Sequence, residues 1–164
     1  MNTITVGSLA GDDPEGRFDF DTFFRSELRP AGQLAFLMLG STASVDDVVQ
    51  DAFCKVLERW ESLDNPAAYL RVCVINRCRH LHRRSAVARR LAPSVRRLDP
   101  THLDPPDVLH DVLRSLTPRR RAVVVLRYFH DMSVPEIADA LGISAGTVKS
   151  TLHRSLFALQ EALK

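Results

Sequence analysis

The sequence predicts an all-α protein: two small helical domains, one of three to four helices and one built on a helix-turn-helix, joined by a flexible linker. Three observations predict it. Apolar residues recur at steps of three and four, and no stretch sustains an alternation of apolar and polar residues. Capping and turn signals stand at the heads of the apolar stretches. Residues 91–106 carry Pro93, Pro100, Pro105 and Pro106 without a helical stripe, which reads as a linker. The domains therefore fall at residues 18–90 and 107–164, and residues 1–17 read as disordered. At 164 residues and 45% apolar content, the chain has enough apolar surface for a packed core.

The first helix is expected over residues 18–39, with Pro30 kinking or splitting it. The second carries the stripe Val45, Val48, Val49, Ala52, Phe53, Val56, Leu57 and Trp60 on one face. Ser44 is placed to cap it, and Asp46 and Asp47 in its first turn suit the helix dipole. The face opposite the stripe presents Asp47, Gln50, Asp51 and Glu58. Asp64-Asn65-Pro66 is a turn signal, after which residues 67–84 read as a third helix. On that helix Arg71, Ile75, Asn76, Arg79, His82 and Arg83 lie away from the side holding Leu70, Val74 and Leu81.

In the second domain Thr117-Pro118 marks a helix start with proline at the first position. Val123, Val124 and Val125 form the chain's β-like run, set inside a helical pattern. Ser133-Val134-Pro135-Glu136 is a capping box, and Ser144 caps the last helix. The stretch from residue 135 to 148 has the anatomy of a helix-turn-helix. Ala138 is small where the two helices touch, and Gly142 tolerates the positive φ of the turn. Ile137, Leu141, Ile143 and Val148 supply the apolar contacts. On a helical wheel Val148, Leu152, Leu156, Leu159 and Leu163 fall within about 80° and are expected to face inward. Gly146, Lys149, Ser150, His153 and Phe157 lie opposite, flanked by Thr147 and Arg154. The leading half of that outer face is short, polar, basic and free of acids, the chemistry that enters a DNA major groove.

Charge is distributed unevenly along the chain. Residues 1–70 carry 5 basic and 12 acidic side chains, whereas residues 71–97 carry 9 arginines and no acid. A polyanion suits the second segment and a basic surface the first. No apolar run reaches membrane-spanning length and no signal peptide is visible, so a cytoplasmic protein is expected. Three cysteines make no disulfide framework. Cys78 and His82 are four residues apart on one helix, but Cys73 and His80 point elsewhere, so Cys73 and Cys78 are read as core filling and no metal or other cofactor is expected. No phosphate-cradling glycine loop, nucleophile or acid pair accompanies the histidines, which argues against an enzyme.

The chain resembles the extracytoplasmic-function sigma factors of bacterial RNA polymerase over residues 18–84 and 107–163. Leu116-Thr117-Pro118-Arg119-Arg120-Arg121, then Leu126-Arg127-Tyr128-Phe129 and the helix-turn-helix, resemble the family's region 4, which reads the −35 promoter element. The resemblance implies −35 contacts from Ser144, Gly146, Thr147, Lys149, Ser150, His153 and Arg154. Residues 46–53 resemble regions 2.1–2.2, implying a grip on the β′ coiled coil of core polymerase by Asp47, Gln50, Asp51 and Phe53. Ala68-Tyr69-Leu70, Val74-Ile75-Asn76-Arg77 and the arginines beyond resemble regions 2.3–2.4, which melt and bind the −10 element. That role would fall to Asp64, Asn65, Tyr69, Arg71, Asn76, Arg79, Arg83 and Arg84, with unpaired bases stacking or hydrogen-bonding on Tyr69 and Asn76 and a flipped base held at residues 63–66. The implied partners are core polymerase (β′ coiled coil and β flap), promoter DNA and an anti-sigma factor. Three residues depart from the family pattern: Thr151 where arginine is common, His80 where aspartate is common, and Arg77 inside the apolar arc of its helix. Two other readings are a stand-alone helix-turn-helix regulator and a protein-binding adaptor. The first leaves the acidic face and the arginine helix without a role, the second the recognition-helix chemistry.

Overall fold

The structure, a computed structural model, describes residues 19–91 and 108–162, all helix and turn with no strand among them. The expected disordered N-terminus and the linker lie outside the described residues.

The first three helices form one module. α1 (Phe20–Leu39) is a single helix of 20 residues with Pro30 inside it, so the proline does not split it. Phe23 lies before the proline, and Ala31, Leu34, Ala35 and Met38 lie at or after it. All five are buried in one core, so packing on both sides of the break holds the helix through. α2 (Val45–Arg59) buries Val48, Val49, Ala52, Phe53 and Val56 as the stripe predicts, but Leu57 faces solvent at 56% exposure. Ser44 stands at the N-cap position without a side-chain bond; its carbonyl accepts from Val48 N–H at 3.1 Å. A single 3-10 turn, Trp60–Ser62, follows. Trp60 meets Phe20 edge-on at 5.1 Å and Phe23 at the same distance, while Phe53 packs on Phe24 at 4.7 Å. This aromatic cluster fixes α1 against α2.

α3 runs from Pro66 to Leu91, longer than its apolar pattern predicts. Its start is set by Asn65, whose Oδ1 accepts from Ala68 N–H at 3.0 Å with Pro66 in the first turn. Ile75 is fully buried, not turned outward, because α3 packs against α1 and α2 together and so needs a wide apolar arc. Cys73 and Cys78 are buried in the same core, and burial pushes the Cys78 thiol up to about 12.

The second module comprises α4 (Val108–Ser115), α5 (Pro118–Tyr128), α6 (Val134–Leu141) and α7 (Ala145–Ala162). Residues 121–126 of α5 are all buried, an all-round burial that explains the valine run: α7 covers one side and α1 of the first module the other. The capping box forms as expected. Glu136 Oε2 accepts from Ser133 N–H at 2.7 Å, and Ser133 Oγ accepts from Glu136 N–H at 3.4 Å. Gly142 takes φ +62° in the turn, and Ile137, Ala138, Leu141 and Val148 are buried around it.

α7 is rotated from its leucine stripe. Leu156 is 39% exposed, whereas Thr151 and Ser155 are buried, and Ser155 Oγ donates to the Thr151 carbonyl at 2.7 Å. The contact face is displaced by roughly 60° at 100° per residue. Small hydroxyl side chains let the helix axes approach, and the Ser155 hydroxyl is satisfied within the helix.

Candidate nucleic-acid and polymerase interfaces

The recognition helix begins at a built cap. Ser144 Oγ accepts from Thr147 N–H at 3.1 Å and lies 2.8 Å from Thr147 Oγ1. Ser150 Oγ donates to the Thr147 carbonyl at 3.1 Å. Ser144 and Ser150 therefore spend hydroxyl capacity on local structure. Gly146, Lys149, His153 and Arg154 are exposed beside them, with Thr147 half-buried. No acid stands on the leading turns of this surface. Lys149 and Arg154 carry fixed positive charge, and Gly146 leaves the backbone uncovered by a side chain there. Thr151, at the departure from the family pattern, faces the core and presents nothing outward.

The loop before α3 and its exposed flank make a second surface. Asp64, Asn65, Asn76, Arg83 and Arg84 are exposed, and Tyr69, Arg71 and Arg79 are half-buried. Asn65 has its oxygen committed to its cap, and its amide N–H groups are donors on an exposed side chain. The Arg59 guanidinium lies over the Tyr69 ring at 5.7 Å. Partial burial and the neighbouring Cys73 raise the Tyr69 hydroxyl above its ordinary pKa, so it stays a neutral donor.

Two of these residues are already engaged by the second module. Arg79 Nη1 donates to the Ala140 carbonyl at the end of α6, 3.1 Å away. Arg71 lines a small cleft with Glu27, Ala31, Val74 and His130, the last from the turn between α5 and α6. Burial first, then Arg71, lowers the His130 pKa, with Asp131 opposing.

The third surface lies on α2. Asp47, Gln50 and Asp51 are exposed, with Cys54, Leu57 and Glu58 continuing the face. Phe53 does not belong to it: at 4% exposure it sits in the aromatic cluster and supports the face from beneath. Arg77 has its account here. Its Nε lies 2.7 Å from Asp51 Oδ2, an ion pair between α3 and α2 that explains a cation on the packed side of α3. The N–H points off the oxygen, so the contact is Coulombic with no formed hydrogen bond.

Arg121 is the residue whose role the sequence leaves unread. It is 6% exposed on α5, donating from Nε to the Met38 carbonyl at 3.1 Å and from Nη2 to the Leu39 carbonyl at 3.2 Å. Its signal is positional: Val124 and Val125, three and four residues on, are both buried, so Arg121 lies on an apolar face with no acid near it.

An all-helical pair of modules, one with a basic outward recognition helix and one with an arginine-lined helix beside an acidic face, defines a DNA-binding protein with a second, protein-binding surface. The comparisons narrow that class. Sigma-70 region 2 matches residues 23–87, and Sigma-70, region 4 matches residues 107–159. The RNA polymerase sigma-E factor of Streptomyces coelicolor is 37% identical over 156 residues, covering 88% of this chain and 86% of that one. The ECF RNA polymerase sigma factor SigL of Mycobacterium tuberculosis is 30% identical, covering 79% of this chain and 80% of its own. In fold, the chain is similar to the sigma factor RpoE solved with the anti-sigma factor NepR from Bartonella quintana, with a TM-score of 0.73, 21% identity, and coverage of 88% and 96%. The chain belongs to the sigma-70 family, within its extracytoplasmic-function group of RNA polymerase sigma factors.

Proposed function

We propose that three surfaces divide the work of this sigma factor, which binds core RNA polymerase, directs it to promoters and helps melt the −10 region. The leading face of α7 takes the −35 element, with Lys149, His153 and Arg154 reaching edges and phosphates and Ser144, Gly146, Thr147 and Ser150 fitting the helix end to the backbone. The loop before α3 and its flank take the melted −10 strand, with Asp64, Asn65, Tyr69 and Asn76 at bases and Arg71, Arg79, Arg83 and Arg84 along phosphates. Asp47, Gln50 and Asp51 on α2 take the β′ coiled coil. The exposed Tyr128, Phe129 and Phe157 are left to protein partners, the β flap or an anti-sigma factor. Strand opening draws on binding energy alone, so the protein acts as an initiation factor and not as an enzyme, in the cytoplasm. Among the described residues no helix is long and apolar enough to cross a membrane.

The observation that carries this reading is the acid-free leading half of the outer face of α7, set by its cap and left open to solvent. In-vitro transcription tests it, with bacterial core polymerase on a genomic library, with and without the protein. Specific starts preceded by a shared pair of elements are expected. Tight DNA binding without core, and no starts, would replace it with a stand-alone regulator.

A further inference from the structure

Arg59 and Tyr69 stand at the two ends of the loop assigned above to a flipped base. Arg59 is the last residue of α2, and Tyr69 lies in the first turn of α3. The chain between them is pinned at several points. Ser62 Oγ donates to the Arg59 carbonyl at 2.9 Å, and Leu63 N–H to the Trp60 carbonyl at 3.4 Å. Trp60 is held in the aromatic cluster, and Tyr69 N–H donates to the Asn65 carbonyl at 3.1 Å. With its neck fixed in this way, the loop brings two distant side chains together. The Arg59 guanidinium lies over the Tyr69 ring, 5.7 Å from its centroid.

Arg59 is exposed on a helix whose outer face is acidic, yet among the described residues it forms no ion pair. Its charge is spent on the ring. The Tyr69 hydroxyl in turn lies beside the thiol of buried Cys73, one turn on. The ring is thus held at its face by a cation and at its tip by a thiol, and being half-buried it keeps part of its surface open. Val72, 39% exposed, and Asn76, exposed, follow three and seven residues on, along the same stripe of α3. An open aliphatic group between an aromatic ring and an amide suits a nucleotide. The ring stacks on the base, the aliphatic group packs on the sugar, and the amide bonds a base edge.

We propose that Arg59 is a positioning residue for the −10 strand, its cation–π contact fixing the Tyr69 ring as a base platform at the head of the stripe Tyr69, Val72 and Asn76. This rests on the assignment of Tyr69 to unpaired bases. A ring on an open helix face turns between rotamers, and freezing it on binding costs entropy. A ring already held avoids that cost and binds tighter. Arg59 acts through the ring and touches no phosphate.

The test uses holoenzyme reconstituted from bacterial core polymerase and the full chain, with core alone as the baseline. The probe is a fluorescein-labelled single-stranded DNA of random sequence, since every base offers a π-face for stacking. Affinities of wild type, Arg59→Ala, Tyr69→Ala and the double variant form a cycle. Circular dichroism and co-elution with core establish that each variant folds and assembles, and Arg59→Gln replaces Arg59→Ala if it does not. Tyr69→Ala is expected to weaken binding at least about fivefold. Arg59→Ala is expected to weaken it about two- to fivefold, with the salt slope of wild type, and to add no loss in the Tyr69→Ala background. An equal loss in both backgrounds, with the salt slope of log K reduced by about 0.7, would make Arg59 a phosphate contact and overturn the proposal. Undiminished affinity of Arg59→Ala, where Tyr69→Ala does weaken binding, overturns it as well and leaves Tyr69 at the bases. If Tyr69→Ala changes nothing, the assignment of Tyr69 is wrong and the proposal falls with it.

Discussion

Lys149 and Phe53 show how differently two expected contact residues fare once the chain folds. Lys149 is exposed beside Gly146 on the outer face of α7, free to meet a phosphate. Lys149→Ala should weaken promoter binding by the holoenzyme across sequences and reduce the salt slope of log K by about 1, read from filter binding at several salt concentrations. Phe53 is in the core, since an aromatic ring in a helical stripe serves packing before surface. His130 carries a pH dependence. Its folded pKa lies below the 6.5 of the free group through burial and Arg71, with Asp131 opposing and Glu27 lining the same cleft. Below about pH 6.5 the unfolded or undocked chain therefore binds more protons than the docked one. The stabilisation is fully present above that pH and is lost as pH falls from 6.5 through the folded value. Melting temperature should drop more steeply over that window in wild type than in His130→Gln, and equal slopes would exclude His130 as the source.

Helix ends and helix faces are decided by different physics. The capping box at Ser133 and the cap at Ser144 form as the sequence predicts, because a cap is a contact between residues three apart. Ser133→Ala should cost about 1 kcal/mol in urea unfolding. Gly142→Ala, at φ +62°, should cost about 1–2 kcal/mol by the same assay and disturb the helix-turn-helix. Pro30 stands in the middle of α1 because the core on both sides holds the helix through. Pro30→Ala restores one helical hydrogen bond and should raise stability, by up to about 3 kcal/mol. Leu57, Leu156 and Ile75 point where their wheels do not predict, because a periodic pattern gives a stripe but not the number of neighbours that will cover it.

At the scale of the whole molecule, the segregation of charge and the docking of the modules set its behaviour. The acid-rich first segment carries the α2 face, and the arginine-rich α3 packs against α6 of the second module. Gly40→Ala combines a left-handed φ with a collision against Arg121 and should loosen the docking. Scattering should show expansion and calorimetry a lower melting temperature, with specific transcription by added core retained because the α2 face is untouched. Loss of core-dependent transcription with the chain still compact would mean that the substitution acts elsewhere.

The sequence by itself determined the all-helical class, the helix-turn-helix with its turn glycine and caps, and the basic, acid-free leading half of the outer face of α7. All of these depend on residues a few positions apart, where periodicity and capping chemistry act directly. Tertiary structure alone decided that Arg121 and Arg79 cap helices in the opposite module and that Arg77 pairs with Asp51. It also turned Ser155 inward and left Leu156 facing out. An arginine in a sequence carries no mark of whether its carbonyl partner is a neighbour, a strand of DNA or a helix end about 80 residues away. That choice follows from which surfaces meet when the chain packs.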